Sequence, residues 1–272
     1  MPIVSKISVQ KKNKHRYNIF LKDKASEYYG FSVDEDLLIS YHLHKGQELS
    51  QEVIEQIQEK DASYKVYTLS LKFLSYRMRS VQELINYLQK KDIEITFIDE
   101  VIHRLKNEGL LNDLAFSEAL VRTRVETSVK GPLLIKKELI EKGVNQTIAE
   151  KALAQFPFTK QYEKVEQLIR KKMDRSSKKS FKQQMDSVKQ SLLQKGYSLG
   201  IINEVFQNIK TDVNNDEEYE AIIYQGEKAL QKYRKKDTGF PLQQKIKANL
   251  YRKGFESELI QRFIDEYVLE EK

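Results

Sequence analysis

IKKELIEKGVNQTI, residues 135–148, is written three times in this chain with variations. Residues 188–201 read VKQSLLQKGYSLGI, and residues 246–259 read IKANLYRKGFESEL. Ile135, Lys136, Leu139, Ile140, Lys142, Gly143 and Ile148 are thus echoed by Val188, Lys189, Leu192, Leu193, Lys195, Gly196 and Ile201. They are echoed again by Ile246, Lys247, Leu250, Tyr251, Lys253, Gly254 and Leu259. A fainter copy, without the glycine, runs through Leu84, Leu88, Lys91, Asp92 and Phe97. Each copy reads as a helix, a stop and a second helix, recurring roughly every 50–60 residues. A period of that length marks repeat architectures, in which each unit buries its apolar face on its neighbours and the array offers one long surface. Such arrays bind far more often than they catalyse.

The local signals agree with helix pairs. Counted from each glycine, apolar residues fall at −8 and −4, then at +1, +5 and mostly +9 and +10, one stripe per helix packing across the turn. Gly143, Gly196 and Gly254 suit the left-handed conformation that ends a helix. Lys142, Lys195 and Lys253 just before them suit the negative end of its dipole. Asn145 and Ser198 are placed to cap the following helix. Pro132 and Pro241 lie just inside the start of the preceding one, where a missing N–H costs nothing. Ser80-Val-Gln-Glu83 is a capping box. A further helix is expected ahead of each pair, at 64–76, 113–126, 159–174 and 216–235. The expected fold is therefore mainly α, an elongated tandem array of three-helix repeats at 63–110, 111–158, 159–211 and 212–272. Tyr76, Tyr87, Phe116, Phe206 and Phe263 fall on the packing stripes and are expected in the core.

The first 62 residues read differently. Ile3, Ser5, Ile7 and Val9 alternate, as do Tyr17, Ile19 and Leu21, with Lys11, Lys12, Asn13 and Lys14 between them. Period two around a polar turn predicts a β-hairpin, and Tyr28 to Val33 suits a third strand. Residues 49–57 suit a short helix leading into the array. The expectation for 1–62 is a small, mainly β cap. The acidic stretch Asp34–Asp61 is expected to meet a basic neighbour or a basic module of the same chain.

Composition bounds the function. The 272 residues are 40% hydrophobic and 32% charged, with Gly 10 and Pro 4, which favours long solvated helices over an all-β domain. The formal charge of +7 points to a polyanion or an acidic protein surface as partner. The absence of cysteine removes disulfides, thiol catalysis and cysteine zinc sites together, and fits a reducing cytoplasm. No apolar run approaches the ~20 residues that span a bilayer, and the N-terminus has no signal-peptide core, so a cytoplasmic location and no membrane partner are expected. No glycine is followed by lysine, and no G-x-G-x-x-G occurs, so there is no phosphate-cradling loop of either kind. His42-x-His44 would chelate a metal only on a strand, and it lacks a second pair. His15 and His103 have no nucleophile nearby in sequence. No catalysis, cofactor or metal is expected.

Residues 71–111 read LKFLSYRMRSVQELINYLQKKDIEITFIDEVIHRLKNEGLL and continue as NDLAFSEALVRTRVETSVKGPLLIKKELIEKGV to Val144. The R-x-R-S-x-x-E-L opening, the V-I-x-x-L-x-x-x-G-x-L-N-D-x-x-F middle and the K-G-P-x-x-I-x-x-E-L-x-x-K-G ending, in that order, resemble the RecX family. The match covers about residues 70–145, with the two later repeats as diverged copies and the N-terminal cap similar to that of the longer members. The resemblance implies a non-enzymatic regulator lying along the filament of the RecA recombinase on DNA, in homologous recombination, DNA repair and the SOS response. Its expected partners are that filament and, more weakly and non-specifically, single- and double-stranded DNA, with the chain itself a monomer. A plain DNA-binding helical repeat protein working without a recombinase filament is the alternative, and a scaffold for another acidic protein a third.

The candidate contact residues are basic. Arg77 and Arg79 occupy a turn from which guanidinium groups reach phosphate or carboxylate; the competing role for Arg77 is an ion pair to a neighbouring module. Arg122, Arg124, Lys130, Lys136 and Lys137 run through the second module around Gly131-Pro132. Lys136, Lys189 and Lys247 recur at one repeat position, where stacking would align them and where their stems would also frame the apolar stripe. Arg170, Lys171, Lys172, Arg175, Lys178, Lys179 and Lys182 form the densest positive stretch, broken by Ser176, Ser177 and Ser180 into an expected loop. Lys232, Arg234, Lys235 and Lys236 repeat that basicity in the last module.

Overall fold

The structure is a computed structural model that describes residues 1–24, 26–173, 178–209 and 215–269. At its N-terminus, β1 (Ile3–Val9), β2 (Arg16–Lys22) and β3 (Glu27–Asp34) form an antiparallel sheet in the order β1-β2-β3. Ile7 pairs with Ile19, and Ile19 with Phe31, so the third strand expected from Tyr28 to Val33 joins the hairpin. Alternation turns Val4, Ile19, Leu21, Phe31 and Val33 to one buried face, against Leu43, Leu49, Ile54 and Ile57. α1 (Glu35–Ser40) starts at the Asp34 cap. His42 follows in a turn with φ 49 and His44 lies outside any strand, so the strand that would aim both imidazoles at one metal is not formed.

The short helix expected at 49–57 and the helix expected at 64–76 are one: α2 (Gln51–Ser75) runs unbroken for 25 residues from its Ser50 cap. No glycine or proline interrupts it, and its middle is pinned to the sheet. Asp61 is 2% exposed and accepts from Arg16 at 2.7 Å and from the Asp34 amide at 3.1 Å, with Lys65 at 2.8 Å. Asp61, the last residue of the acidic stretch, thus meets a cation of the cap itself. A buried carboxylate held on several sides is costly to unpair, by about 3–5 kcal/mol when a partner is removed.

The remaining helices fall in triplets. After α2 come α3 (Val81–Gln89) and α4 (Ile95–Asn107). Then follow α5 (Asp113–Thr127), α6 (Pro132–Glu141) and α7 (Gln146–Ala152), and after them α8 (Phe158–Lys172), α9 (Phe181–Gln194) and α10 (Leu199–Ile209). The last are α11 (Asn215–Tyr233), α12 (Gly239–Arg252) and α13 (Ser257–Tyr267). Pro132 opens α6 as expected, whereas Pro241 is the third residue of α12, still within the turn that lacks intrahelical partners. Ser80 and Glu83 close the capping box, Asn145 Oδ1 accepts from Thr147 N, and Ser198 Oγ from Ile201 N. None of the described helices is long and apolar enough to cross a membrane.

Two compact units result, residues 1–117 with 141–148, and residues 118–140 with 149 onward. In the first, Val66, Leu84, Leu88, Ile98, Val101 and Leu105 form the core under α2–α4. In the second, Ile222, Ile246, Leu250, Phe255, Ile260 and Phe263 do the same under α11–α13. Gly226 lies inside α11 because the Phe263 ring is against it; a Cβ there would stand 2.2 Å from the ring. Phe116, Phe206 and Phe263 are buried as expected. Tyr76 is not: it caps the C-terminus of α2 and is 73% exposed, because the chain leaves the helix there for the arginine turn.

The repeated Lys-Gly stop is a joint. In the first unit, Ser80 at the start of α3 donates its hydroxyl to the Lys142 carbonyl at 2.6 Å, and the Val81 amide donates to Asp113. In the second unit, Ser180 at the start of α9 donates to the Lys253 carbonyl, and the Phe181 amide donates to Glu218. Between these lies a backbone version: Gly131 N donates to Lys195 O at 2.7 Å and Leu133 N to Gly196 O at 3.1 Å. Each joint occupies the residue after the lysine. A Cβ on Gly143 would meet Gln82 at 2.2 Å, one on Gly196 the Leu134 amide at 2.7 Å, and one on Gly254 the Lys182 stem at 3.0 Å. The three glycines have φ between +80 and +86. The fainter copy takes the same left-handed turn at Asp92, φ 56, with an ordinary side chain, because no joint hydrogen bond closes on it among the described residues.

Candidate nucleic-acid and partner interface

The three joints share a backbone and differ in charge. Ser80, Gly131 and Ser180 each open a helix, and the third residue beyond them is Glu83, Leu134 and Gln183 respectively. At the first joint Glu83 takes Lys142 Nζ at 2.9 Å and both nitrogens of the Arg77 fork, at 3.0 and 3.2 Å. Burial pushes the Glu83 carboxyl up, but the bonds from Arg77, Lys142 and the Ser80 amide outweigh it and bring it to about 2. Arg77 is therefore tied within its own triplet, and it is the Lys142–Glu83 pair that crosses to the next. Arg79, beside it, lies over the Phe73 ring at 4.2 Å, and Phe73 stacks on Tyr87 at 4.0 Å. Its Nε is buried without a hydrogen-bond partner, and desolvation followed by the Arg77 charge lowers its pKa. Of the two turn arginines, Arg79 is the one whose guanidinium makes no salt bridge among the described residues.

Around the second joint the predicted cations are largely neutralised. Arg124 grips Glu138 with Nε and Nη2, and Lys130 reaches the same carboxylate at 2.7 Å. Arg124 first, then Lys130, hold the Glu138 carboxyl at about 2 against the opposing effect of burial. Lys136 is bound to Glu150 at 2.7 Å. Arg122 stands exposed, 3.9 Å from Glu118, and Lys137 is exposed on the outer face of α6. Tyr197, just past the Lys195-Gly196 turn, is 1% exposed, and burial raises its hydroxyl to about 12.

In the dense basic stretch, Arg170 pairs with Glu166, Lys172 donates to Ser191 Oγ at 2.6 Å, and Lys171 is exposed. Arg175, Ser176 and Ser177 lie outside the described residues. Lys178 and Lys179 are exposed, and their carbonyls accept from Gln225 and Gln184. Lys178 Nζ stands 4.3 Å from the centre of the Tyr224 ring. The three repeat-equivalent lysines part company: Lys136 is ion-paired, Lys189 is half-buried beside Asn203 and Phe206, and Lys247 is exposed.

Two features escaped the sequence reading. Tyr67 donates to Glu108, which also takes Arg104, while Arg104 covers the Tyr67 ring at 3.7 Å. Tyr219, Glu266 and Arg262 repeat the arrangement, with Arg262 at 3.8 Å from the ring. These clips bind the outer helices of a triplet, and the shared Arg-x-x-x-Glu of α4 and α13 is their signature. The other is the convergence of Lys178 and Lys232, read in sequence only as parts of basic runs, with Lys228 and Lys253, which becomes legible only when Ser180 is laid on Ser80 and Gln183 falls where Glu83 stands. No three His, Asp or Glu side chains gather as a metal site among the described residues.

Residues 2–50 match the family model described as the regulatory protein RecX N-terminal domain, residues 67–105 the first RecX three-helix domain and residues 112–153 the second. The third RecX three-helix domain matches twice, at 159–206 and 216–264. Regulatory protein RecX of Oceanobacillus iheyensis is 47% identical over 272 residues, covering 100% of both chains. That of Halalkalibacterium halodurans is 44% identical, covering 98% of this chain and 100% of its own. Among solved structures, a crystal structure of regulatory protein RecX aligns with TM-score 0.66 and 32% identity, over 76% of this chain and 100% of the other. RecX from Lactobacillus salivarius aligns with TM-score 0.54 and 38% identity, over 56% of this chain and 99% of the other.

Proposed function

The chain belongs to the RecX family of regulatory proteins, and from that premise we propose that it modulates a RecA recombinase by binding along the recombinase–DNA filament. Family membership over the full chain is the observation that carries this reading. In this reading the protein performs no chemistry of its own. Successive triplets touch successive filament subunits, and each bound triplet raises the effective concentration of the next. Occupying the groove restrains filament growth, ATP turnover and entry of a second DNA, in recombination and repair.

The contact set narrows to cations that make no salt bridge among the described residues. Arg124, Lys130 and Lys136 serve the fold, whereas Arg79, Lys171, Lys178 and Lys247 keep their charge for a partner. The test is binding at physiological salt to ATP-bound RecA filaments on single-stranded DNA, beside the same DNA naked. Tight, saturable binding to the filament over weak binding to bare DNA is expected. Equal or stronger affinity for bare DNA, falling steeply with salt, would replace this reading with a plain DNA binder.

A further inference from the structure

The third joint carries a positive cluster that no carboxylate neutralises among the described residues. Lys253 occupies the place of Lys142, but its Nζ meets the neutral Gln225 amide where Lys142 meets Glu83. Gln225 in turn donates to the carbonyl of Lys178, which ties the segment before α9 to α11. Lys178 and Lys228 both stand over the Tyr224 ring, at 4.3 and 4.6 Å, and Lys232 lies one helical turn beyond Lys228, 5.3 Å from the Tyr233 ring. Three elements thus bring four ammonium groups together, and none makes a salt bridge among the described residues. The crowding is electrostatically visible. Burial, then the Lys228 charge, then that of Lys232 lower the Lys253 pKa, and Lys228 with Lys178 lowers that of the Tyr224 hydroxyl.

Like charges gathered without a counter-ion oppose folding, and at the first joint the same position is neutralised by Glu83. The partner that would reward leaving them bare is a polyanion. Ammonium groups are point charges without the fork that selects carboxylates, and groups drawn from three elements suit charges repeated along a strand. We propose that Lys178 and Lys228 over the Tyr224 ring, together with Lys253 on Gln225 and Lys232 a turn further along α11, form a binding site for the phosphodiester backbone of a nucleic-acid strand. The site reads no sequence, since phosphate contacts position a strand without identifying its bases. Tyr224 serves as its floor, holding two of the lysines by their attraction to the ring face.

The test uses the full chain and a single-stranded oligo-dT, with affinity followed by fluorescence anisotropy across a salt series. Each phosphate contact on a single strand contributes about 0.7 to the slope of log K against log salt. The double substitution Lys178→Gln with Lys228→Gln is expected to lower that slope by about 1.4. Gln183→Glu removes no lysine and restores the carboxylate found at the first joint; it is expected to weaken oligo-dT binding while raising stability. An unchanged slope in both variants overturns the proposal. So does an equal weakening toward poly-glutamate, which would mark the cluster as a site for an acidic protein. No recombinase is present in this assay, so its failure leaves the filament reading standing, and loss of filament binding leaves this slope untouched.

Discussion

The joint between α3 and the Lys142-Gly143 turn and the joint between α9 and the Lys253-Gly254 turn have one backbone design and opposite charge policies. Both dock a serine-capped helix on a lysine carbonyl and pack its next residue but one on a glycine. At the first, Glu83 gathers Arg77 and Lys142. At the third, Gln183 stands in its place and the lysines make no salt bridge among the described residues. The lesson is that steric complementarity is what the repeat preserves, while the charge on the joint is free to be spent on folding or kept for a partner.

The largest effects should come from the shared backbone. Gly196→Ala forces a side chain into φ +86 and against the Leu134 amide; about 2–4 kcal/mol of lost stability is expected from left-handed strain plus overpacking. Gly109→Ala has a similar φ of +72 with nothing within 4 Å, and strain alone should cost about 1–2 kcal/mol. Urea unfolding of the two variants separates them, and equal losses would mean that the close approach contributes nothing. Ser80→Ala and Ser180→Ala each remove a cap and a bond to the neighbouring triplet; each should lose about 1–2 kcal/mol by the same measurement. Near-equality is the informative result, because the backbone design is common to both.

The acidic limb of stability divides the joints again. Glu83 and Glu138 titrate at about 2 in the folded chain against roughly 4.3 unfolded. Their contribution is therefore complete above the unfolded value and lost as pH falls toward the folded one. Glu83→Gln and Glu138→Gln should be least stable relative to the parent near neutral pH and should converge on it by about pH 2. Glu218, which accepts from Phe181 at the third joint, has its pKa raised, chiefly by burial. Its ionised form is the disfavoured one in the folded chain, so Glu218→Gln should be neutral or stabilising at pH 7. A stability–pH series on the three variants checks both signs.

Much of the fold was legible in the residues. The −8, −4, +1 and +5 stripe predicts Ile246, Leu250 and Phe255 in the core, and Gly143, Gly196 and Gly254 announce left-handed stops. Periodicity is a local property, and these are its local consequences. The junction of the cap was less legible, because nothing between 57 and 64 breaks a helix and only the Arg16–Asp61 pairing, 45 residues apart, explains why α2 is anchored there. The glycines read as helix stops without revealing that each is also the floor of a joint, since the residue that lies on it comes from another repeat. The candidate site suffered most. A run of lysines in sequence says nothing about which ones meet a carboxylate, so Arg124 and Lys130 look the same as Lys178 until Glu138 is found between them. Lys253 gains its meaning only from Gln225 on α11, and Lys228 only from sharing the Tyr224 ring with Lys178, which comes from the segment before α9.

The smallest effect is also the sharpest discriminator: the stability of Lys142→Gln set beside that of Lys253→Gln, at low and at high salt. Removing Lys142 leaves Glu83 with one cation fewer, and a loss of about 1 kcal/mol is expected, shrinking as salt screens the pair. Removing Lys253 relieves the repulsion from Lys228 and Lys232, so no loss, or a small gain at low salt, is expected. If both variants lose the same stability with the same salt dependence, the two joints are electrostatically alike, and the division between a joint neutralised for folding and a joint kept bare for a polyanion is wrong.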